Sequence, residues 1–450
     1  MDTTSAALET LKLQLDKSQD LKSVKLDNGH FSIDLIYYSS LCEDGMLSRT
    51  INRPLELYEN RNEFRNALCA TLNAEPLTSP DELVDKLLAG YAAVVLDGSI
   101  YLLYTNVPLL DAPLDPSVET TLQGPQTAFS ENIDSNLKIV RQRYPMPTLV
   151  AEARTVGAKS RTKIAVVYDD AIVDRDVLAR ILERIEGIDA DVIQAVGQLE
   201  VLLTEKKFRV FPTSLITERP DRVTLNLALG KVVILMQGTP FAIVAPAVMY
   251  DFMAAMDDLY QTYWVSRFLL GLRYAALFLT VTLPAAYVAV VSYNPEIFRV
   301  QFALSIAGSR AAVPYPSYVE VFIMLFIVEA LIEASLRLPR YIGGTATTVG
   351  GLILGQAAQQ AGLVSSIMII ITSAVAISNF VIPITMMSFA FRIMKYPLIV
   401  MAALFGMYGL IAGLFWIFLY LCDQRSFGKP YLRMFTKEKR VSGYKGAANP

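Results

Sequence analysis

Residues 329–362 read EALIEASLRLPRYIGGTATTVGGLILGQAAQQAG, and the rest of the chain is best read outward from them. Two glutamates one helical turn apart, Glu329 and Glu333, sit in an apolar run. They are followed by Arg337-Leu338-Pro339-Arg340 and then by Gly, Ala, Thr and Gln. Ionisable groups inside a bilayer are costly and mark functional positions by default. Small residues let helices approach closely but gain little from lipid contact. The stretch therefore reads as an inner wall of a helical membrane domain.

On either side of it the 450-residue chain has two unlike parts. Up to about Tyr263 it mixes charges, prolines and short apolar runs. Beyond that point acidic residues nearly vanish and apolar runs lengthen to about the 20 residues needed to cross a bilayer. An integral membrane protein with a large soluble head follows. The net charge of −3 conceals a basic tail, Arg425, Lys429, Arg433, Lys437, Lys439, Arg440 and Lys445, which marks the cytoplasmic side. It needs no nucleic acid to explain it. The N-terminal MDTTSAALETLKLQLDK carries acids where a secretory signal needs a basic flank and an unbroken apolar core. No cleavable signal is expected, and the head is assigned to the cytoplasm. Cys42, Cys69 and Cys422 are few, odd in number and far apart, as free thiols in a reducing compartment would be.

The head contains an internal repeat. DELVDKLLAGYAAVVLDGSIYLLY from Asp81 aligns with DRVTLNLALGKVVILMQGTPFAIV from Asp221 at a constant offset of 140 residues. Gly90 meets Gly230, Gly98 meets Gly238, and Tyr101 meets Phe241. Each copy predicts a helix opened by an acid and closed by glycine, then two strands around a DG or QG turn. Upstream strands are expected near 30–38 and 162–170. After the second comes a helix, DRDVLARILERIEG, with Ile181, Leu182 and Ile185 on one buried face. The connection from Asn106 to Asn132, rich in Pro, Thr and Asp, marks the division. The expected organisation is a first cytoplasmic α/β subdomain at 1–110, a linker at 111–132 and a second cytoplasmic α/β subdomain at 133–262. A transmembrane helical domain at 263–424 and a basic tail at 425–450 complete it. Two such lobes could clasp a small ligand or form an assembly platform.

The catalytic inventory is thin. His30 is the only histidine, so no histidine pair can hold zinc and no histidine-activated nucleophile is present. Asp169, Asp170, Asp174 and Asp176 lack the central glycine and terminal glutamate of a calcium loop and read as helix caps and a solvated turn. GGTATTVGG has no lysine and is no phosphate loop. Neither an enzyme, a cofactor nor a metal centre is expected.

Four stretches can cross a membrane, at 268–293, 318–336, 364–391 and 397–422, while 343–361 is ambiguous. Arg267 and Arg273 place the start of the first span inside, and Arg337 and Arg340 place the end of the second there. With the tail inside, the last span must run inward. That puts Arg392 and Lys395 on the outer side and leaves one net crossing for 341–391. The Gly/Thr segment is then re-entrant or broken, which is tolerated where backbone is buried in protein or lines a water-filled cavity. The expected fold is a soluble head of two tandem similar α/β subdomains followed by an α-helical polytopic membrane domain. That domain has about four full spans plus a re-entrant or broken helix, with five to six spans as the alternative.

Pro284 and Pro383 should kink their spans. GLILG (Gly351–Gly355) and GLIAG (Gly409–Gly413) suit close packing within one subunit, and Gly343, Gly344 and Gly350 join them as close-packing glycines. The pore or gating candidates are Glu329, Glu333, Arg337, Thr345, Thr347, Thr348 and Gln356. Glu329 and Glu333 share a helix face, and Glu333 is spaced to pair with Arg337. Either the glutamates line an ion path or gating pair, or they reach water at the interface.

Six segments together resemble the A subunit of bacterial spore-germination nutrient receptors. They are QGPQTAFSENIDSNLKIVRQR (Gln123 to Arg143), TERPDRV (Thr217 to Val223), GTPFAIVAP (Gly238 to Pro246), VPYPSYVE (Val313 to Glu320), LRLPRYIGGTATTVGGLILGQAAQQAGLVS and LCDQRSFGKPYL. They run in the family's order from about residue 120 to 430. The resemblance implies a subunit of the spore inner membrane, working with a polytopic B subunit and a lipoprotein C subunit. Its copies would form an oligomeric, nutrient-gated cation channel whose opening starts germination. It further implies a cytoplasmic N-terminal region of two similar subdomains, and signalling and ion release in place of catalysis.

The chain also departs from the family's pattern. Where many members carry a Met-Glu pair and a phrase like FEILREAG, it has Met324-Leu325 and VEALIEAS. One acidic and one basic position are thus lost, at Leu325 and Ile332, while Glu329 and Glu333 match the retained glutamates. The first lobe matches weakly, and the tail after Tyr431 lacks the customary Pro-rich ending. Two other readings compete. One is a secondary ion or solute transporter using Glu329 or Glu333 as its cation site, although 268–422 shows no inverted repeat. The other is a germination paralogue acting as a membrane scaffold without its own nutrient.

Overall fold

The structure is a computed structural model that describes residues 18–70, 74–77, 82–106, 116, 118–119, 121, 123–204, 209–337, 350–351 and 353–432. Gly343, Gly344, Thr345, Thr347 and Thr348, part of the expected linker and the tail from Arg433 lie outside these residues.

Two five-stranded antiparallel sheets build the head. The first contains β1 (Leu21–Asp27), β2 (Ser32–Tyr38), β3 (Ala74–Pro76), β4 (Tyr91–Leu96) and β5 (Ser99–Tyr104) in the order β1-β2-β4-β5-β3. The second contains β6 (Leu149–Val156), β7 (Thr162–Asp169), β8 (Leu215–Thr217), β9 (Val232–Met236) and β10 (Ala242–Ala245) in the order β6-β7-β9-β10-β8. Strand for strand, the two orders are the same. Helices α1 (Arg61–Ala70) and α2 (Glu82–Leu88) accompany the first sheet. With the second go α3 (Ile133–Arg143), α4 (Arg175–Glu186), α5 (Val196–Leu203) and α6 (Pro220–Ala228).

The repeated phrase forms α2-β4-β5 in one copy and α6-β9-β10 in the other. Gly90 and Gly230 end the two helices at φ 92° and 75°, a region other residues rarely adopt. A Cβ there would also lie 2.8 Å from Asn106 Cβ and 2.6 Å from the Ile172 carbonyl oxygen, respectively. All five residues of β9 are buried because helices cover both faces. Val233 and Leu235 face Leu137, Val140, Val223 and Leu227. Val232, Ile234 and Met236 face Val177, Ile181, Ile185 and Leu199. Such two-sided burial is why the strand reads as an unbroken apolar run.

Beyond the head run α7 (Tyr263–Tyr293), α8 (Val300–Arg310), α9 (Ser317–Arg337), helical residues 353–360, α10 (Ser366–Val381) and α11 (Thr385–Asp423). By length and composition, α7 and α11 can each cross a membrane. Pro284 lies inside α7, which continues through it.

The expected break between 391 and 397 does not occur. The chain breaks at Ile382–Ile384, where Pro383 can donate no hydrogen bond, and again at Gly406, with φ 59° and ψ −134° inside α11. At Gly406 the helix turns back on itself, so Phe391 and Tyr420 both bring their rings against Phe211 of the head, at 4.8 and 5.9 Å. The glycines of GLIAG make room for this return. A Cβ on Gly409 would strike the Met401 carbonyl, and one on Gly413 the Leu398 side chain. Gly350 and Gly351 pack on Leu331 of α9, with Cβ positions 3.3 and 3.2 Å from it, whereas Gly355 faces open space. The reversal also overturns the expected placement of Arg392 and Lys395 on the side away from the head. They follow Phe391 and lie on the head side.

Head and helices share one apolar core. It runs from Leu137, Val223 and Val244 through Phe211, Phe252 and Tyr431 to Val288, Met324, Met368, Phe391 and Leu421.

Gly406→Ala should lower stability by about 2 kcal/mol, the order of strain for a side chain forced into such a backbone conformation. Its Cβ would also lie 2.8 Å from Tyr293 Cγ. The thermal unfolding midpoint in detergent checks this, and a midpoint equal to wild type would refute the reversal as drawn.

Candidate functional site

Glu329 and Glu333 have different surroundings. Glu333 pairs with Arg337 at 2.8 Å on an exposed helix face. Glu329 turns inward to α11. There Lys395 Nζ donates to its Oε1 at 2.8 Å and Arg392 Nη2 donates to Oε2. The Lys395 side chain is fully buried. A buried ion pair is weak evidence for stability, yet removing one partner costs about 3–5 kcal/mol, because a lone buried charge remains. Arg392 further lies over the Phe389 ring at 4.9 Å.

A second carboxylate, Glu320, sits at the other end of α9 and is completely buried. Tyr287 OH of α7 donates to its Oε2 at 3.1 Å, and the Ser365 backbone N–H donates to Oε1 at 2.7 Å. Arg310 Nε of α8 stands 3.2 Å away. Ser365 in turn caps α10 through Met368 N–H at 3.2 Å. Glu320 thus ties α7, α8, α9 and α10 at their ends away from the head. Tyr293 marks the same end, donating from its hydroxyl to the Ala403 and Leu404 carbonyls at 2.5 and 3.3 Å.

TERPDRV works as a clasp between head, linker and first long helix. Glu218 accepts from the backbone N–H groups of Val118 and Glu119, the latter at 2.9 Å. Arg219 pairs with Asp221 at 2.6 Å and donates to the carbonyls of Glu119 and Pro125. Arg222 pairs with Glu119 at 3.0 Å and donates to the carbonyls of Asp251 and Ala254. Immediately after, Asp258 holds Arg273 of α7.

LCDQRSFGKPYL closes the circuit from the far end of the sequence. After α11 it forms a hairpin, β11 (Arg425–Ser426) with β12 (Lys429–Pro430). Ser426 Oγ donates to the Thr213 carbonyl at 2.6 Å and accepts from Ala247 N–H at 3.1 Å. Phe427 enters the core between the second sheet and α4. Gly428, at φ 84°, approaches the Arg180 guanidinium, and Lys429 pairs with Asp174.

Of the pore or gating candidates, Glu329, Glu333, Arg337 and Gln356 are described, and only Glu333 and Arg337 meet each other. Gln356 is exposed. Sequence reasoning missed Glu320, Arg310, Tyr287 and Ser365, and it treated Arg392 and Lys395 only as topology markers. The signal for Glu320 was its place at the end of VPYPSYVE. Asp174 caps α4 through Asp176 and Val177 N–H, as expected. The three cysteines are free thiols. Among the described residues, no group of three His, Cys, Asp or Glu could hold a metal ion.

The sequence matches the family model described as Bacillus/Clostridium GerA spore germination protein over residues 9–444. Spore germination protein B1 of Bacillus subtilis (strain 168) is 34% identical over 94% of this chain and 90% of its own length. Spore germination protein KA of the same organism is 33% identical over 94% of this chain and 79% of its own. The crystal structure of the N-terminal domain of the A subunit of the Bacillus megaterium spore germinant receptor GerK3 superposes with a TM-score of 0.39 at 21% identity. It covers 54% of this chain and 94% of that one.

The family match includes the hairpin after α11, whose ion pair gives a pH signature. The ammonium of Lys429 holds the Asp174 carboxyl below the usual carboxylate range, helped by the backbone N–H groups it caps. A depressed carboxyl contributes stability that is fully present above its unfolded value of about 3.9 and is lost as pH falls through the lower folded value. Wild type should therefore lose protease protection of the hairpin as pH falls below about 4, and Asp174→Asn should lose less over the same fall. Limited proteolysis of the two proteins side by side checks the difference.

Proposed function

From the premise that this chain belongs to the Bacillus/Clostridium GerA spore germination protein family, we propose that it is the A subunit of a spore germinant receptor. In this reading it acts in the spore inner membrane with B and C subunits. Several copies assemble into a nutrient-gated cation channel whose opening triggers germination. The head, with its first lobe at 1–110 and second at 133–262, faces the cytoplasm, and the basic tail lies on the same side.

Six crossings fit this arrangement better than four spans plus a re-entrant piece. In favour of six is the alternation of helix ends. Tyr263, Arg337, Thr385 and Asp423 fall toward the head, and Tyr293, Ser317, Ser366 and Gly406 away from it. One further crossing through 338–365 makes the number even and returns the tail to the head side, as its charge requires.

The observation that carries the channel reading is the ion cluster of Glu329 with Arg392 and Lys395, where α9 meets α11 just before the Gly/Thr/Gln segment. We assign Glu329 to gating and Thr345, Thr347, Thr348 and Gln356 to the wall of the path. Glu333 with Arg337 forms its head-side rim, and Gly343, Gly344, Gly350 and Gly351 supply close packing around it. Small residues that leave Gln356 exposed on a single chain suit contact between copies.

Glu329→Gln, reconstituted with its B and C subunits in proteoliposomes, should change germinant-dependent K+ efflux. If the pair breaks on opening, a loss of about 3 kcal/mol shifts the closed-to-open ratio on the order of 100-fold. Efflux with unchanged germinant dependence and ion selectivity would remove Glu329 from the path. Wild-type complex that carries no flux under any germinant would refute the channel.

A further inference from the structure

The cluster around Glu329 holds two cations and one carboxylate. Arg392 and Lys395 both lean on Glu329, and the sequence offers no Asp or Glu between Glu333 and Asp423 to balance the second cation. Glu333 is exposed and engaged with Arg337. Among the described residues, Arg392 Nε is buried without a hydrogen-bond partner, although 13% of the side chain remains accessible. An unbalanced cation in a low-dielectric site is strongly unfavourable unless a counter-charge meets it.

The position of the cluster says where that charge can come from. Phe391, the residue before Arg392, meets Phe211 of the head with ring centroids 4.8 Å apart, so the cluster lies next to the junction of head and helices. The surface beside it is apolar and open. Phe389, under the Arg392 guanidinium, is 40% exposed, and Ile393 is 59% exposed.

We propose that Arg392 is a site for a phosphate oxyanion, supplied in the bilayer by an anionic phospholipid of the head-side leaflet. Glu329 then balances Lys395 and the phosphate balances Arg392. The guanidinium offers Nε and a remaining Nη N–H as a planar fork to two phosphate oxygens. The acyl chains lie along Phe389 and Ile393. Basic pockets between helices at this level are where anionic headgroups settle. The inference rests on the charge count and holds whether or not the helices conduct ions.

The test uses the full chain in nanodiscs of phosphatidylcholine alone or with phosphatidylglycerol, comparing wild type with Arg392→Gln. The variant retains Glu329 and Lys395 as a matched pair, so it should fold in both. Phosphatidylglycerol should raise the wild-type unfolding midpoint and leave that of the variant unmoved. Native mass spectrometry should show wild type retaining phosphatidylglycerol at least tenfold over phosphatidylcholine. A rise produced by inorganic phosphate in phosphatidylcholine discs would support the site with a free oxyanion as its source. If neither anion shifts the wild type, or if Arg392→Gln responds as wild type does, the site does not exist. Should the variant fail to fold, equal retention of the two lipids by wild type overturns the proposal alone.

Discussion

The contact on which the rest of the structure depends is the seating of Phe211 among Phe391, Tyr420 and Tyr431, with centroids 4.8, 5.9 and 6.5 Å away. One ring from the head thus touches both arms of the reversed helix α11 and the chain that follows it. Full burial of such side chains contributes about 1.5–3 kcal/mol each, and here the burial falls between parts that a linear description would separate. Because both arms meet the same ring, the reversal at Gly406 is held at its two ends as well as at its turn. The level of Arg392 and Lys395 relative to the head is fixed as well.

Helix α9 is pinned in two places by carboxylates of different kind. Near its start Glu320 is satisfied by a tyrosine hydroxyl, a backbone N–H and one arginine, which joins four helices in a balanced network. Halfway along, Glu329 reaches α11 alone and is outnumbered by cations. Motion of α9 that keeps Glu320 as pivot would be felt first at Glu329, since that contact has fewer partners and stands at the junction with the head. The clasp of Arg219 and Arg222 on carbonyls of the linker and of the stretch before α7 holds the neighbouring α7 to the same junction.

The sequence made the local elements legible and the distant partners illegible. The offset of 140 residues located α2-β4-β5 and α6-β9-β10 because each copy carries its own cap, turn glycine and apolar alternation. Edge strands β3 and β8 have three residues each, too few for a period to show, and they exist through pairing with β5 and β10. Apolar length alone could not say where 364–422 divides. Local conformation at Pro383 and Gly406 decides it, and a hydropathy count sees neither. Glu333 and Arg337 were readable because helical spacing fixes them. Glu329 and Lys395 are 66 residues apart, and no spacing rule reaches across that gap. The charges at 392 and 395 were visible, but with the break drawn between 391 and 397 the inside assignment of the basic tail carried them to the side away from the head, whereas Phe391 meets Phe211 of the head.

The hairpin that follows α11 bears on the order in which the molecule can be made. Phe427 belongs to the core between the second sheet and α4, and Tyr431 to the junction beneath Phe252, yet both leave the ribosome after every residue of α7 to α11. The second sheet therefore waits, with one wall of its core missing, until the helices have been made. Only a chain whose last helix has returned to the head side can close it. Completion of the head is in this sense a readout of correct folding of the helices, written into the sequence as a dozen residues at the end of the final helix.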